Sequence, residues 1–158
     1  MSLRLRDAVP ADVPAMLGFA RALATHEGRP EAVTATEAGL RAMLFGEPRR
    51  ARAMMAEQDS HTAGYAIWSY RFVMYRAAVT LYASNVFVAP DVRGAGVGRA
   101  IFAALARRAR AEGCLSVEWG VKDDNLSALG FYDALGAERM SGSVRMTLKG
   151  EALDRLAA

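Results

Sequence analysis

The passage that most narrows the choice of fold is Val86 to Ile101, V-F-V-A-P-D-V-R-G-A-G-V-G-R-A-I, where one kind of order stops and another begins. Before it, Val79 to Val88 is rich in β-branched and aromatic residues and is ended by Pro90, which cannot donate to a strand ladder. After it, Val97, Ile101 and Leu105 recur at four-residue steps with Ala100 and Ala104 beside them, the mark of an apolar-striped helix running to about Glu112. Gly94, Gly96 and Gly98 lie between. Glycines without a Cβ let several main-chain N–H groups converge on one anion, and the positive end of the helix dipole reinforces that pocket. Phosphate is the natural ligand.

Spacing separates three kinds of phosphate loop. A dinucleotide fingerprint needs G-x-G-x-x-G, but the last position is Arg99 when counted from Gly94 and Ile101 when counted from Gly96. A triphosphate loop needs Gly-Lys-Ser/Thr, and the chain has Gly98-Arg99-Ala100. What remains is R-x-x-G-x-G, formed by Arg93, Gly96 and Gly98.

The flanking sequence supplies the rest of the layers. Leu3 and Leu5 alternate with Arg4 and Arg6 as a first strand, and Pro10, Asp12 and Pro14 open a helix reaching about Thr25. A second helix starts near Thr36, carries Leu40, Met43 and Leu44, and stops at Gly46 to Pro48. Ala51 to Glu57 and Ala63 to Phe72 read as a hairpin whose turn is Asp59 to Thr62. Beyond the long helix, Gly113 is a stop signal, and Leu115, Val117, Trp119 and Val121 alternate as a strand. Asn125 can cap a last main helix that presents Ala128, Phe131, Tyr132 and Leu135 and ends at Gly136, and Arg139 to Leu148 is expected to be a terminal strand. The order predicts a mixed α/β layer fold in one domain, 1–158, since no repeat or linker divides the chain.

Composition removes several classes of function. A single cysteine, Cys114, allows no internal disulfide and no zinc cluster, so no metal is expected. No run of eighteen apolar residues occurs and the first six residues do not resemble a secretory signal, which points to a cytoplasmic protein without a membrane partner. The net charge of +3 is too small to imply nucleic-acid binding. Lys122 and Lys149 are the only lysines among 20 basic residues, so arginine, whose planar fork suits phosphate, is the main cation.

A second motif joins the loop. Asn125 to Ala137 reads N-L-S-A-L-G-F-Y-D-A-L-G-A. Together the two motifs resemble the GNAT N-acetyltransferase family, whose members grip the pyrophosphate of coenzyme A with such a loop and carry an N-x-x-A-x-x-F-Y-x-x-L-G-A helix beyond it. The resemblance covers nearly the whole chain. It implies a three-layer α/β/α domain whose mixed sheet splays open between the strand ending at Val88 and the strand ending at Val121, with acetyl-CoA as co-substrate in the gap.

The resemblance also assigns roles. Backbone groups of Val86, Phe87 and Val88 would pair with the pantetheine arm and polarise the thioester, and N–H groups of Arg93, Gly94, Ala95, Gly96, Val97, Gly98 and Arg99 would hold the pyrophosphate. Asn125 and Ala128 would touch the coenzyme, and Tyr132 would be the general acid that protonates the departing thiolate. Within the family the nearest likeness is to the polyamine and thialysine acetyltransferase branch, through L-F-G-E (Leu44 to Glu47), G-Y-A-I (Gly64 to Ile67), L-Y (Leu81, Tyr82) and G-C (Gly113, Cys114). That branch implies a homodimer and a small-molecule amine acceptor. Those relatives usually carry Glu-Asp where this chain has Ser84-Asn85, a change that removes attraction for a polycation and the obvious base.

Replacement bases are Glu118, Asp123, Asp124, His26 and Glu27, and the candidate acceptor-binding residues are Glu27, Ser84, Asn85 and Trp119. His61 reads as a polar turn residue, Trp68 and Trp119 as core, the eight methionines as core filler, and Cys114 as buried and inert. Two rival functions share the same residues: acetylation of a protein or peptide amine, which needs a wide acceptor groove, and an acyl-CoA-binding sensor without turnover.

Overall fold

The computed structural model describes residues 2–142 and 144–158, apart from the side chain of His26, and falls into two units, Met1–Gly120 and Val121–Ala158. The first unit holds one five-stranded sheet in the order β1 (Leu3–Asp7), β2 (Arg52–Gln58), β3 (His61–Val73), β4 (Ala78–Val88) and β5 (Val117–Trp119). The first four pair antiparallel and β5 joins β4 in parallel. Helices α1 (Val13–His26) and α2 (Glu37–Phe45) connect β1 to β2, and α3 (Val97–Ala111) connects β4 to β5.

Alternation along the strands assigns the two faces. Met55, Tyr65 and Phe87 join Val13 and Met16 of α1 and Leu44 of α2 in one buried cluster. Trp68, out of phase with them, is fully buried with Arg108 of α3 over its ring at 5.0 Å, and Phe102 of α3 meets Trp119 with ring centroids 4.7 Å apart. Two helices cover one face and one covers the other, the expected three layers.

Local signals set most boundaries. Thr36 caps α2, its hydroxyl accepting from the Gly39 amide at 3.1 Å, and Gly46 follows the helix. The hairpin turn is tighter than the sequence suggested: Asp59 and Ser60 both have positive φ, the two-residue form whose twist matches the strands, so His61 opens β3 instead of lying in the turn.

Two expectations need correction. β5 is only Val117–Trp119, shorter than the alternation from Leu115 to Val121, because its partner β4 is paired with it only at Leu81, Tyr82 and Ala83. Arg139 to Leu148 is not a strand in its described residues; Met140, Val144 and Met146 are more than 80% exposed. Alternation alone makes no strand without an edge to pair with. The second unit contains α4 (Leu126–Ala134) and α5 (Glu151–Ala157), the latter not foreseen.

Arg6 of β1 ties the sheet to the start of α1 by ion pairs to Asp12 at 2.7 Å and Glu57 at 2.6 Å. The Arg6 guanidinium holds the Asp12 carboxyl below its ordinary 3.8. A carboxyl depressed in the folded state contributes stability above its unfolded value, and that stability is lost as pH falls through the folded value. Asp12→Asn is therefore expected to lower the urea midpoint at neutral pH, with the gap to the parent closing below about pH 3.8. A gap independent of pH would assign the effect to packing.

Candidate functional site

The sheet opens where β4 stops pairing with β5. Ala83 lies opposite Trp119 on one side and Trp68 on the other, whereas Asn85 pairs with Ile67, so Ser84 is an extra residue that bulges the strand. From Ser84 to Val88 the strand keeps β3 on one side and has no strand on its other side among the described residues. The Ala89 amide donates to Ala63 across the β3 side at 2.9 Å, and main-chain direction alternates along a strand, so Val86 and Val88 present their N–H and C=O groups to the open side. The Val88 carbonyl there accepts from Arg93 Nε at 3.4 Å.

β4 runs directly into the glycine turn. A 3₁₀ turn at Pro90–Val92 leads to Gly94 and Gly96, with φ of 82° and 85°, conformations that side-chain-bearing residues adopt at a cost. Gly96 is the N-cap of α3, and no side chain caps the helix. The amides of Arg93 and Ala95 bond to Pro90 and Val92 carbonyls within the turn. The first amides of α3, on Val97, Gly98 and Arg99, have no preceding helical carbonyl to meet. Arg93 and Arg99 are exposed beside them. An uncapped helix start with flanking guanidiniums and no Cβ at the tightest points fits a diphosphate.

Other candidates fall as follows. Ser84 donates its hydroxyl to the Ile67 carbonyl at 3.2 Å, and Asn85 is exposed on the open stretch of β4. The Trp119 ring packs on Phe102 toward α3. Glu27 follows α1 and is ion-paired with Arg29. The His26 side chain lies outside the described residues. Cys114, between α3 and β5, has its thiol pushed up by burial and by Glu112, which disfavours the thiolate. No three His, Cys, Asp or Glu side chains converge as a metal site among the described residues, and no helix there is long and apolar enough to cross a membrane.

Asn125, Ala128 and Tyr132 belong to the second unit. Asn125 caps α4, its Oδ1 accepting from the Ala128 amide at 3.1 Å, which fixes the start of the helix that carries Tyr132. Burial pushes the Tyr132 phenol above its ordinary 10.0.

The sequence profile of the Acetyltransferase (GNAT) family matches residues 18–137, which take in most of α1, the open stretch of β4, the glycine turn and α4. The chain belongs to that family. Relatives include thialysine N-epsilon-acetyltransferase of Bos taurus, 29% identical over 97% of this chain and 96% of its own length, and L-ornithine N5-acetyltransferase of Arabidopsis thaliana, 29% identical over 62% and 43%. Among solved structures, a Vibrio cholerae integron cassette protein superposes with a TM-score of 0.82 at 22% identity, covering 99% of this chain and 98% of its own. An aminoglycoside acetyltransferase from an uncultured soil sample reaches 0.76 at 17% identity over 93% and 97%. These GNAT likenesses agree with the α/β fold and the acetyltransferase class that the two motifs implied.

Proposed function

We propose that this GNAT protein transfers an acetyl group from acetyl-CoA directly to a primary amine of a small molecule. The supporting observation is the unpaired edge of β4 leading to an uncapped, glycine-lined helix start, which offers main-chain donors at Val86 and Val88 and again at the start of α3 for an extended ligand with a diphosphate at one end. Acetyl-CoA supplies an activated thioester. The amides of Gly94, Gly96, Val97, Gly98 and Arg99 hold its pyrophosphate. Val86 and Val88 align the pantetheine arm and donate to the thioester carbonyl as it gains negative charge, where backbone donors need no particular side chain. Asn125 and Ala128 build the start of the α4 helix that carries Tyr132, and the Tyr132 phenol gives its proton to the leaving sulfur.

Direct transfer is supported by the thiol inventory: burial and Glu112 push the thiol of Cys114, the one cysteine, up, which disfavours an acyl carrier there. Ser84 and Asn85 cannot serve as general bases, so the acceptor amine gives up its proton to another group or to water before it attacks. The reading extends to a single-domain homodimer in the cytoplasm.

The test measures free-thiol release from acetyl-CoA against spermidine, thialysine, lysine, aminoglycosides and aromatic amines, beside calorimetric binding of the coenzyme. Release with at least one amine is expected, with spermidine poor. Tight coenzyme binding without release from any of them would replace the enzyme by an acyl-CoA sensor.

A further inference from the structure

On the α1/α2 face of the sheet, next to the place where β4 and β5 part, three side chains form an arrangement that coenzyme binding does not use. Tyr82 of β4 lies across from Ser69 of β3 on one side and Glu118 of β5 on the other, and laterally paired residues share a face. Arg71, two residues beyond Ser69 on β3, lays its guanidinium on the Tyr82 ring, its central carbon 3.3 Å from the ring centroid. No ion pair or hydrogen bond to Arg71 occurs among the described residues, and the side chain is exposed.

A guanidinium held over an aromatic ring face is steadied by the ring without spending its N–H groups on a hydrogen-bond acceptor. The stack leaves those donors unspent, and a planar fork fixed in advance matches the two oxygens of a carboxylate. Arg6 and Arg108, beside the same sheet, are by contrast committed, Arg6 to Asp12 and Glu57, and Arg108 to Asp7. Tyr82 stands three residues before Asn85, at most about 10 Å along the strand from the open stretch of β4. A chain of four to six methylenes with an amine at one end and a carboxylate at the other spans that interval.

We propose that the Arg71 guanidinium, braced on Tyr82, binds the carboxylate of the acceptor, so that the preferred substrate is an ω-amino acid rather than a simple amine or a polyamine. Glu118, which accepts from the Ser116 hydroxyl at 3.0 Å and faces the same side, is placed for an ammonium group adjacent to that carboxylate. The chain thereby exchanges the recognition element lost at Ser84 and Asn85, two carboxylates for a polycation, for one cation suited to an anion. The inference rests on the acetyl-transfer reading for its substrate role, while the carboxylate site itself stands on Arg71 and Tyr82 alone.

Two measurements test it. First, kcat/KM is compared for 6-aminohexanoate and pentylamine, which differ by the carboxylate, in the parent and in Arg71→Leu and Arg71→Lys. The parent is expected to favour 6-aminohexanoate at least tenfold, and the ratio should collapse in Arg71→Leu and fall partway in Arg71→Lys, which keeps charge but loses the fork. Second, equilibrium binding of 6-acetamidohexanoate, the would-be product, is measured with coenzyme A present, so that a readout exists without turnover. It should weaken at least tenfold in Arg71→Leu, with melting confirming that the variants fold. Equal ratios in all three proteins, or product binding indifferent to Arg71, overturns the carboxylate site. Failure of every amine to release thiol while 6-acetamidohexanoate still binds through Arg71 overturns acetyl transfer and keeps the site.

Discussion

Replacing Tyr132 with Phe is expected to lower turnover by about 10²- to 10⁴-fold, the span that positioned proton transfer usually supplies, with little change in acetyl-CoA affinity. The substitution removes one oxygen and leaves the ring. A role in packing alone would leave turnover nearly intact and move thermal stability instead. Burial raises the phenol above its ordinary 10.0, so the group is protonated throughout the neutral range, the state a general acid requires. The sign follows: with pKa raised, the proton is lost only at still higher pH, so any decline of the parent's rate that belongs to Tyr132 should begin above about pH 10. The Tyr132→Phe variant should lack that decline. If it retains the parent rate with the best amine, the proton for the sulfur comes from elsewhere.

Gly96→Val probes the glycine turn, and coenzyme affinity should fall at least tenfold. Gly96 sits at φ 85° at the N-cap of α3, and a left-handed conformation costs a side-chain-bearing residue about 1–2 kcal/mol, more for a β-branched one. A valine there relieves the cost by turning the peptide away, which carries the first amides of α3 off their common target. Nothing lies within 4 Å of a Cβ built on Gly96, so the effect reports backbone direction and not crowding. Calorimetry with coenzyme A reads it directly. Parent-like affinity in a folded Gly96→Val protein would mean that the diphosphate is held away from this turn.

The glycine turn and the α4 motif are legible in the linear sequence because both are local. A strand, three glycines and an apolar-striped helix follow one another without a gap, and Asn125 caps the helix that begins at the next residue. The same locality makes Thr36 and Gly46 readable as the two ends of α2. The place of His61 turns on the choice between a two- and a four-residue turn, which positive φ at both Asp59 and Ser60 decides and composition does not. The terminal strand fails because Arg139 to Leu148 has the right period, but period describes one chain segment and a ladder needs two.

Arg71 carries no signal in the sequence. It belongs to no motif, and its meaning depends on Tyr82, eleven positions away in sequence and stacked beneath it only because β3 and β4 pair in one register. The bulge at Ser84 is equally a property of the pair of strands, since an extra residue exists only relative to the partner that lacks one. By itself the sequence determined the main elements, the glycine turn and the family, because hydrophobic period, glycine and caps act over a few residues. Only the tertiary structure decided where the sheet stops pairing, which main-chain groups that leaves open and which side chains share a face, because these are set by strand register and no residue records its register alone.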